Sequence, residues 1–226
     1  MSLLETEDLS KTFPGPVEAV RAVSFSIACG TTLGVIGDSG SGKSTLAKLV
    51  LGLLDPDKGY VRFEGKRLRD FGPADWKNFR KQVHAVFQHP VQSLNPKMKV
   101  RDALKEPYLI HGERDLRVLD EKTARLLETV ELPRHFLDRR PGQLSGGECQ
   151  RVAIARAICL EPKLVVCDEA VSSLDVLVRA GILNLLLKLQ NEKKVSYLFI
   201  SHDPAVVRHM SDRVLVMKNG EAHLEA

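Results

Sequence analysis

Nine residues, GDSGSGKST at 37–45, carry the most explicit chemistry in the sequence. They fit the pattern G-x-x-x-x-G-K-[ST]. Glycines at this spacing let backbone N–H groups turn inward on an anion, and a helix that starts at the end of the loop adds the favourable potential of its N-terminus. Lys43 is a compact positive charge for the β- and γ-phosphates of a nucleotide, and Ser44 offers a hydroxyl to Mg²⁺. The expected phosphate cradle is therefore Gly37, Asp38, Ser39, Gly40, Ser41, Gly42, Lys43, Ser44 and Thr45. A flexible glycine-rich surface loop is the bland alternative. It gives no reason for a lysine and a hydroxyl in register, after a strand and before a helix. The motif points to a nucleoside triphosphate and leaves the reaction open, because kinases, GTPases, motors and transport ATPases share it.

Four further residues, at three predicted strand ends, have types that fit such a site. Asp168 and Glu169 end the apolar run LVVCDE, His202 ends YLFISH, and Gln88 ends HAVFQ. Ligands of an open α/β sheet sit at the carboxyl ends of its strands. Asp168 is then placed to hold Mg²⁺ through water, and Glu169 to polarise an attacking water. His202 is placed to reach the γ-phosphate. An acid pair at a strand end is often only solvated turn chemistry, a lone histidine is more often structural, and glutamine alone is a weak signal.

These residues need a strand–loop–helix frame. TTLGVI at 31–36 is a short β-branched run before the glycine loop, and TLAKLVLGLL after it has helical periodicity. GYVRFEG alternates as a strand, and 73–83 reads as a helix opened by proline. HAVFQ is a strand that breaks at Pro90 and Pro96 into a loop. From about 99 to 160 the pattern is helical, with DEKTARLLETVEL clearly amphipathic. PKLVVCDEA and VSYLFISHD read as buried parallel strands, 179–192 as a helix, and RVLVMKNGEAHLE as a hairpin about Asn219-Gly220. Alternation of strands and helices predicts an α/β sheet with helices packed on it.

Composition narrows the class. The chain has 226 residues, 43% hydrophobic and 27% charged, enough for one large domain or two closely joined lobes. A net charge of +4, with basic residues scattered, does not argue for a nucleic-acid partner. No apolar run of membrane-spanning length occurs, and the N-terminus lacks the apolar stretch of a signal peptide. Cys29, Cys149, Cys159 and Cys167 form no C-x-x-C pair, so buried free thiols are expected rather than a zinc site or disulfides.

One segment, LSGGECQRVAIARA at 144–157, resists a purely helical account, since it opens a helix on two glycines. With the other motifs in order, it resembles the ATP-binding subunit of ABC transporters. The resemblance covers essentially the whole chain: the phosphate loop at 37–45, Gln88 as the Q-loop glutamine, LSGGE at 144–148 as the signature, the strand ending at Asp168, Glu169 after it, SSLD at 172–175 as the D-loop, and His202 as the switch histidine. Phe13 matches the aromatic position that stacks on adenine. Glu148 departs from the commoner glutamine; an acid suits a helix N-terminus, and its side chain is expected to point away from bound phosphate.

The resemblance implies an α/β fold: a P-loop NTPase (RecA-like) core with an antiparallel β subdomain over 1–88 and 161–226, and an α-helical subdomain over 89–160 carrying the signature. It implies ATP and Mg²⁺ as ligands, with Ser44, Gln88 and Asp168 toward the metal and Lys43, Gln88, Glu169 and His202 in catalysis. It also implies a head-to-tail dimer in which Ser145, Gly146, Gly147 and Asp175 meet ATP held by a second ATPase subunit, either a copy or a sister. A side chain at Gly146 would block that approach. Two membrane permeases, an external binding protein and a place on the cytoplasmic face of the inner membrane complete the expectation.

FQHPVQSLNPKMKVRDALKEP at 87–107 resembles the nickel and di- or oligopeptide importer branch, and CDEAVSSLD with RAGILNLLLKLQ leans toward nickel-type members. The stop at Ala226, without the C-terminal extension usual in the peptide branch, leans the same way. The rival readings fit less well. An ABC ATPase of DNA repair would carry a long coiled coil, a small-molecule kinase has no reason for LSGG or SSLD, and a degenerate subunit would lack the glutamate or the histidine.

Overall fold

The computed structural model describes residues 2–15, 17–88 and 90–225. In chain order its strands are β1 (Ser2–Phe13), β2 (Val17–Ala28), β3 (Thr32–Gly37), β4 (Lys58–Phe63), β5 (Lys66–Arg67), β6 (Val83–Phe87), β7 (Leu164–Asp168), β8 (Ser196–Ile200), β9 (Arg213–Lys218) and β10 (Glu221–Leu224). Its helices are α1 (Lys43–Val50), α2 (Pro73–Gln82), α3 (Pro90–Ser93), α4 (Val100–Ile110), α5 (Leu116–Thr129), α6 (Gly146–Ile158), α7 (Val176–Lys193) and α8 (Pro204–Met210).

A six-stranded sheet in the order β10-β9-β3-β8-β7-β6 forms the centre, parallel from β9 to β6, with β10 as an antiparallel edge. Its inner strands are mostly apolar because both faces are covered. Alternate residues of each strand point to opposite faces. Val165, Cys167, Tyr197 and Phe199 enter one core with α6 and α7, while Leu164, Val166, Leu198 and Ile200 enter a second core with α1 and the other sheet. That other sheet is antiparallel, β2-β1-β4-β5. The RecA-like core, antiparallel β layer and helical layer implied by the resemblance are all present.

Local differences from the sequence reading have identifiable causes. Residues 90–93 form one helical turn rather than loop, a position where proline is tolerated. Helix α7 begins three residues early, because the Asp175 side chain accepts from the Val178 N–H and caps it there. The long strands β1 and β2 have no plain alternation in sequence, since register shifts interrupt their pairing. The expected boundary at residue 89 falls on a residue outside the described set, as do Met1, Pro16 and Ala226.

Candidate functional site

The parallel register levels four strand ends. Phe87 pairs with Asp168, Asp168 with Ile200, and Val35 with Ile200. The residues that follow these strands therefore emerge along one edge, as expected for an open α/β sheet. A cavity of about 460 Å³ opens there, lined by Ser39, Gly40, Gly42, Lys43, Ser44, Thr45, Gln88, Glu169 and His202, with Ala19 of β2 closing one side. A larger cavity of about 760 Å³, lined in part by Lys81, Tyr108 and Lys193, contains none of the motif residues.

The phosphate loop is tightly built. Gly42 has φ +107°, and a Cβ there would overlap the Ala19 carbonyl oxygen. The position demands glycine both for its conformation and for the closeness of β2. Ala19 gave no sequence signal, because only its backbone is used. Lys43, buried at the start of α1, donates to the Gly37 and Asp38 carbonyls at 2.7 and 2.8 Å, so its ammonium is folded over its own loop. The Ser41 hydroxyl is buried beside it with no partner among the described residues.

Across the cavity, the Ser44 hydroxyl donates to Asp168 Oδ1 at 3.3 Å. Burial pushes the Asp168 carboxyl above the ordinary aspartate range; the Ser44 hydrogen bond opposes this, and the neighbouring Glu169 charge adds to it. A cation at this point would relieve both effects, and the hydroxyl and carboxylate are the hard oxygen donors that Mg²⁺ takes. Among the described residues no three His, Cys, Asp or Glu side chains form a metal site by themselves. The donor set thus fits a Mg²⁺ that shares its shell with phosphate. Glu169 sits in the left-handed region at φ 55°, and its carboxylate lies 2.7 Å from His202 Nδ1. A carboxylate only accepts, so Nδ1 carries the proton. The Ser172 hydroxyl donates to the Glu169 carbonyl at 2.8 Å, and the Glu169 N–H to Ile200 O at 3.0 Å. Gln88 is exposed at the cavity mouth, with its carbonyl 3.4 Å from the Ser173 hydroxyl.

The glycine-led helix is explained differently at its two glycines. Ser145 and Glu148 form a reciprocal capping box: Ser145 N–H donates to Glu148 Oε2 at 2.7 Å, and Glu148 N–H to Ser145 Oγ at 3.3 Å. The acid turns back on its own helix start. Gly146 is exposed, and a Cβ there would meet nothing nearer than Leu174 Cδ2 at 4.0 Å. A Cβ on Gly147 would lie 2.5 Å from Val178 Cγ1 of α7. Gly147 therefore has a packing reason within the chain, and Gly146 has none.

The chain does not bring every expected residue to the cavity. Ser145, Gly146, Gly147 and Asp175 lie outside its lining, and Asp175 spends a carboxylate oxygen on capping α7. Phe13, at the end of β1 and partly exposed, does not line it either. Cys149, Cys159 and Cys167 are buried free thiols and Cys29 is exposed.

Against known proteins, a family profile described as ABC transporter matches residues 20–172. The oligopeptide transport ATP-binding protein OppF of Haemophilus influenzae is 45% identical over 92% of the chain and 63% of its own length. AppF of Bacillus subtilis, also an oligopeptide transport ATP-binding protein, is 43% identical over 97% of the chain and 70% of its own length. The chain belongs to the ABC transporter family. It spans 63% of the length of the Haemophilus relative. Among solved ABC structures, the dimeric ATP-binding cassette MJ0796 bound to ADP and Pi superposes with a TM-score of 0.88 at 28% identity, over 98% of this chain and 97% of that one. No helix among the described residues is long and apolar enough to cross a membrane.

Proposed function

We propose that the chain is the ATP-binding subunit of an ABC importer, hydrolysing ATP to ADP and phosphate to energise uptake of peptides. The observation that carries this reading is the Glu169–His202 pair facing Lys43 and Ser44 across one cavity. The reaction is in-line attack of water on the γ-phosphate, achieved by positioning and charge stabilisation. Lys43 exchanges its two loop carbonyls for phosphate oxygens. Glu169 orients the attacking water, and His202 holds that carboxylate in place. Ser44 and Asp168, with Gln88 at the mouth, would hold Mg²⁺, which when bound supplies charge neutralisation at the phosphates. Phe13 offers a ring for the adenine.

The hydrolytic unit in this reading is a head-to-tail dimer. The open backbone at Ser145 and Gly146, and the turn at Asp175, meet the ATP of a second ATPase subunit. Residues 89–160 form the helical subdomain, and the segment from Gln88 to about residue 107 carries motion to two membrane permeases at the cytoplasmic face of the inner membrane. An external binding protein delivers cargo. The names of OppF and AppF support peptide as that cargo, in place of the nickel-type lean of the sequence reading. The test is Glu169→Gln: it binds ATP with near wild-type affinity, turns over at least about a hundredfold more slowly, and accumulates as a closed dimer. Near wild-type turnover would remove Glu169 from the role given to it.

A further inference from the structure

Helix α7 begins between two loops of the site, and one side chain of its first turn spans both. Arg179 Nη2 donates to the Leu174 carbonyl at 3.1 Å, within the SSLD turn, and Nη1 lies 3.5 Å from Asp203 Oδ2, in the loop that carries His202. Asp203 uses its other oxygen, Oδ1, to cap α8 through the Ala205 and Val206 N–H groups at 3.0 and 3.3 Å. Its two oxygens are thus divided between the helix start and Arg179. His202 itself is 62% exposed in its side chain, which among the described residues bonds to Glu169. The exposed ring therefore depends on its loop for position.

We infer that Arg179 is a positioning residue for hydrolysis, holding the His202 loop against the turn at 172–175 so that His202 meets Glu169. This rests on the ATPase reading above. Three features support it. Arg179 Nε is buried with no partner among the described residues, so the side chain is poorly explained as a device for stability alone. The guanidinium is a planar fork that reaches two acceptors in fixed geometry, which lysine cannot reproduce. The same turn of α7 places Val178 against Gly147 and Asp175 at the helix cap, so the elements proposed to face the partner's ATP share one rigid support with Arg179. Arg179 touches no reacting atom; it acts through His202.

The experiment measures kcat and ATP dissociation constants in the complex purified with its permease subunits. The variants are Arg179→Ala, Arg179→Lys, Asp203→Asn, His202→Ala and the Arg179→Ala/His202→Ala double variant. Arg179→Ala lowers kcat about tenfold with the dissociation constant changed less than about twofold, and lysine restores part of the loss. Asp203→Asn keeps the oxygen that caps α8 and moves kcat in the same direction, which decides the matter if Arg179→Ala folds poorly. The double variant is no slower than His202→Ala alone. Wild-type kcat in Arg179→Ala, or multiplicative losses in the double variant, would overturn the inference while leaving the ATPase reading intact. Wild-type rates in both His202→Ala and Glu169→Gln would overturn the roles given to that pair and the inference with them, whereas absence of ATP hydrolysis in the wild-type complex would overturn the ATPase reading itself.

Discussion

Alanine at Gly146 and at Gly147, one residue apart, should have opposite effects on the isolated fold. A Cβ at Gly147 arrives 2.5 Å from Val178 Cγ1. Val178 is β-branched and helical, so its χ1 is nearly fixed and the methyl has no cheap way to yield. Overpacking of this kind costs about 1–3 kcal/mol, set against a gain of up to about 1 kcal/mol from replacing glycine with alanine in a helix. At Gly146 the added methyl stands 4.0 Å from Leu174 Cδ2, ordinary contact, so only the gain remains. For a chain of this size each kcal/mol moves the thermal midpoint about 2–4 °C. Gly147→Ala should therefore melt several degrees lower, and Gly146→Ala level with or above the wild type. Dimerisation reverses the ranking for Gly146. In a Glu169→Gln background with ATP, size-exclusion chromatography should show Gly146→Ala failing to dimerise despite its stable fold. Adding Val178→Ala to Gly147→Ala should recover part of the lost stability. If Gly147→Ala melts at or above the wild type, the steric argument fails. If Gly146→Ala dimerises normally with ATP, that glycine is not kept open for a partner's phosphate.

Three other predictions concern charge and capping. Asp168→Asn should raise the thermal midpoint of the nucleotide-free protein at neutral pH. Burial holds the folded carboxyl above its unfolded value of 3.8, so the destabilising carboxylate form is present at high pH, and the gain should vanish as pH falls through the folded pKa; an unchanged midpoint at pH 7.5 would contradict this. His84 behaves oppositely: burial lowers it from 6.5 to about 4, so stability should be full above pH 6.5 and decline by about 3 kcal/mol as pH falls through 4. Urea titrations of wild type and His84→Phe should diverge over that window, and parallel curves would refute it. Glu148→Gln keeps an oxygen for the Ser145 N–H, so its midpoint and ATP-driven dimerisation should match the wild type, whereas Glu148→Ala loses about 0.3–1.5 kcal/mol of helix capping. A tenfold fall in ATPase rate for the glutamine variant would show that the charge itself matters.

What was legible in the sequence was local or periodic. The phosphate loop, the strands ending at Asp168 and Ile200, the α/β class and the hairpin at Asn219-Gly220 all follow from short-range rules of turn chemistry and burial. The convergence of Gln88, Asp168, Glu169 and His202 was also anticipated, because parallel strands covered on both faces leave only their carboxyl ends for chemistry. Other features depend on which atoms from distant segments come into contact. No reading of LSGG separates Gly146 from Gly147, since the difference is Val178, some thirty residues later and one helix away. Gly42 meets a carbonyl of Ala19, which leaves no trace in residue type. Asp175, expected to meet a partner's ATP, also caps a helix within the chain, and Arg179, at the start of the predicted helix, joins two loops. Sequence pattern determines which groups are available and which edge they reach, because hydrogen bonding and burial repeat with fixed periods. Tertiary packing alone decides which neighbour each group meets, because van der Waals contact and side-chain hydrogen bonds act only over the last few ångströms.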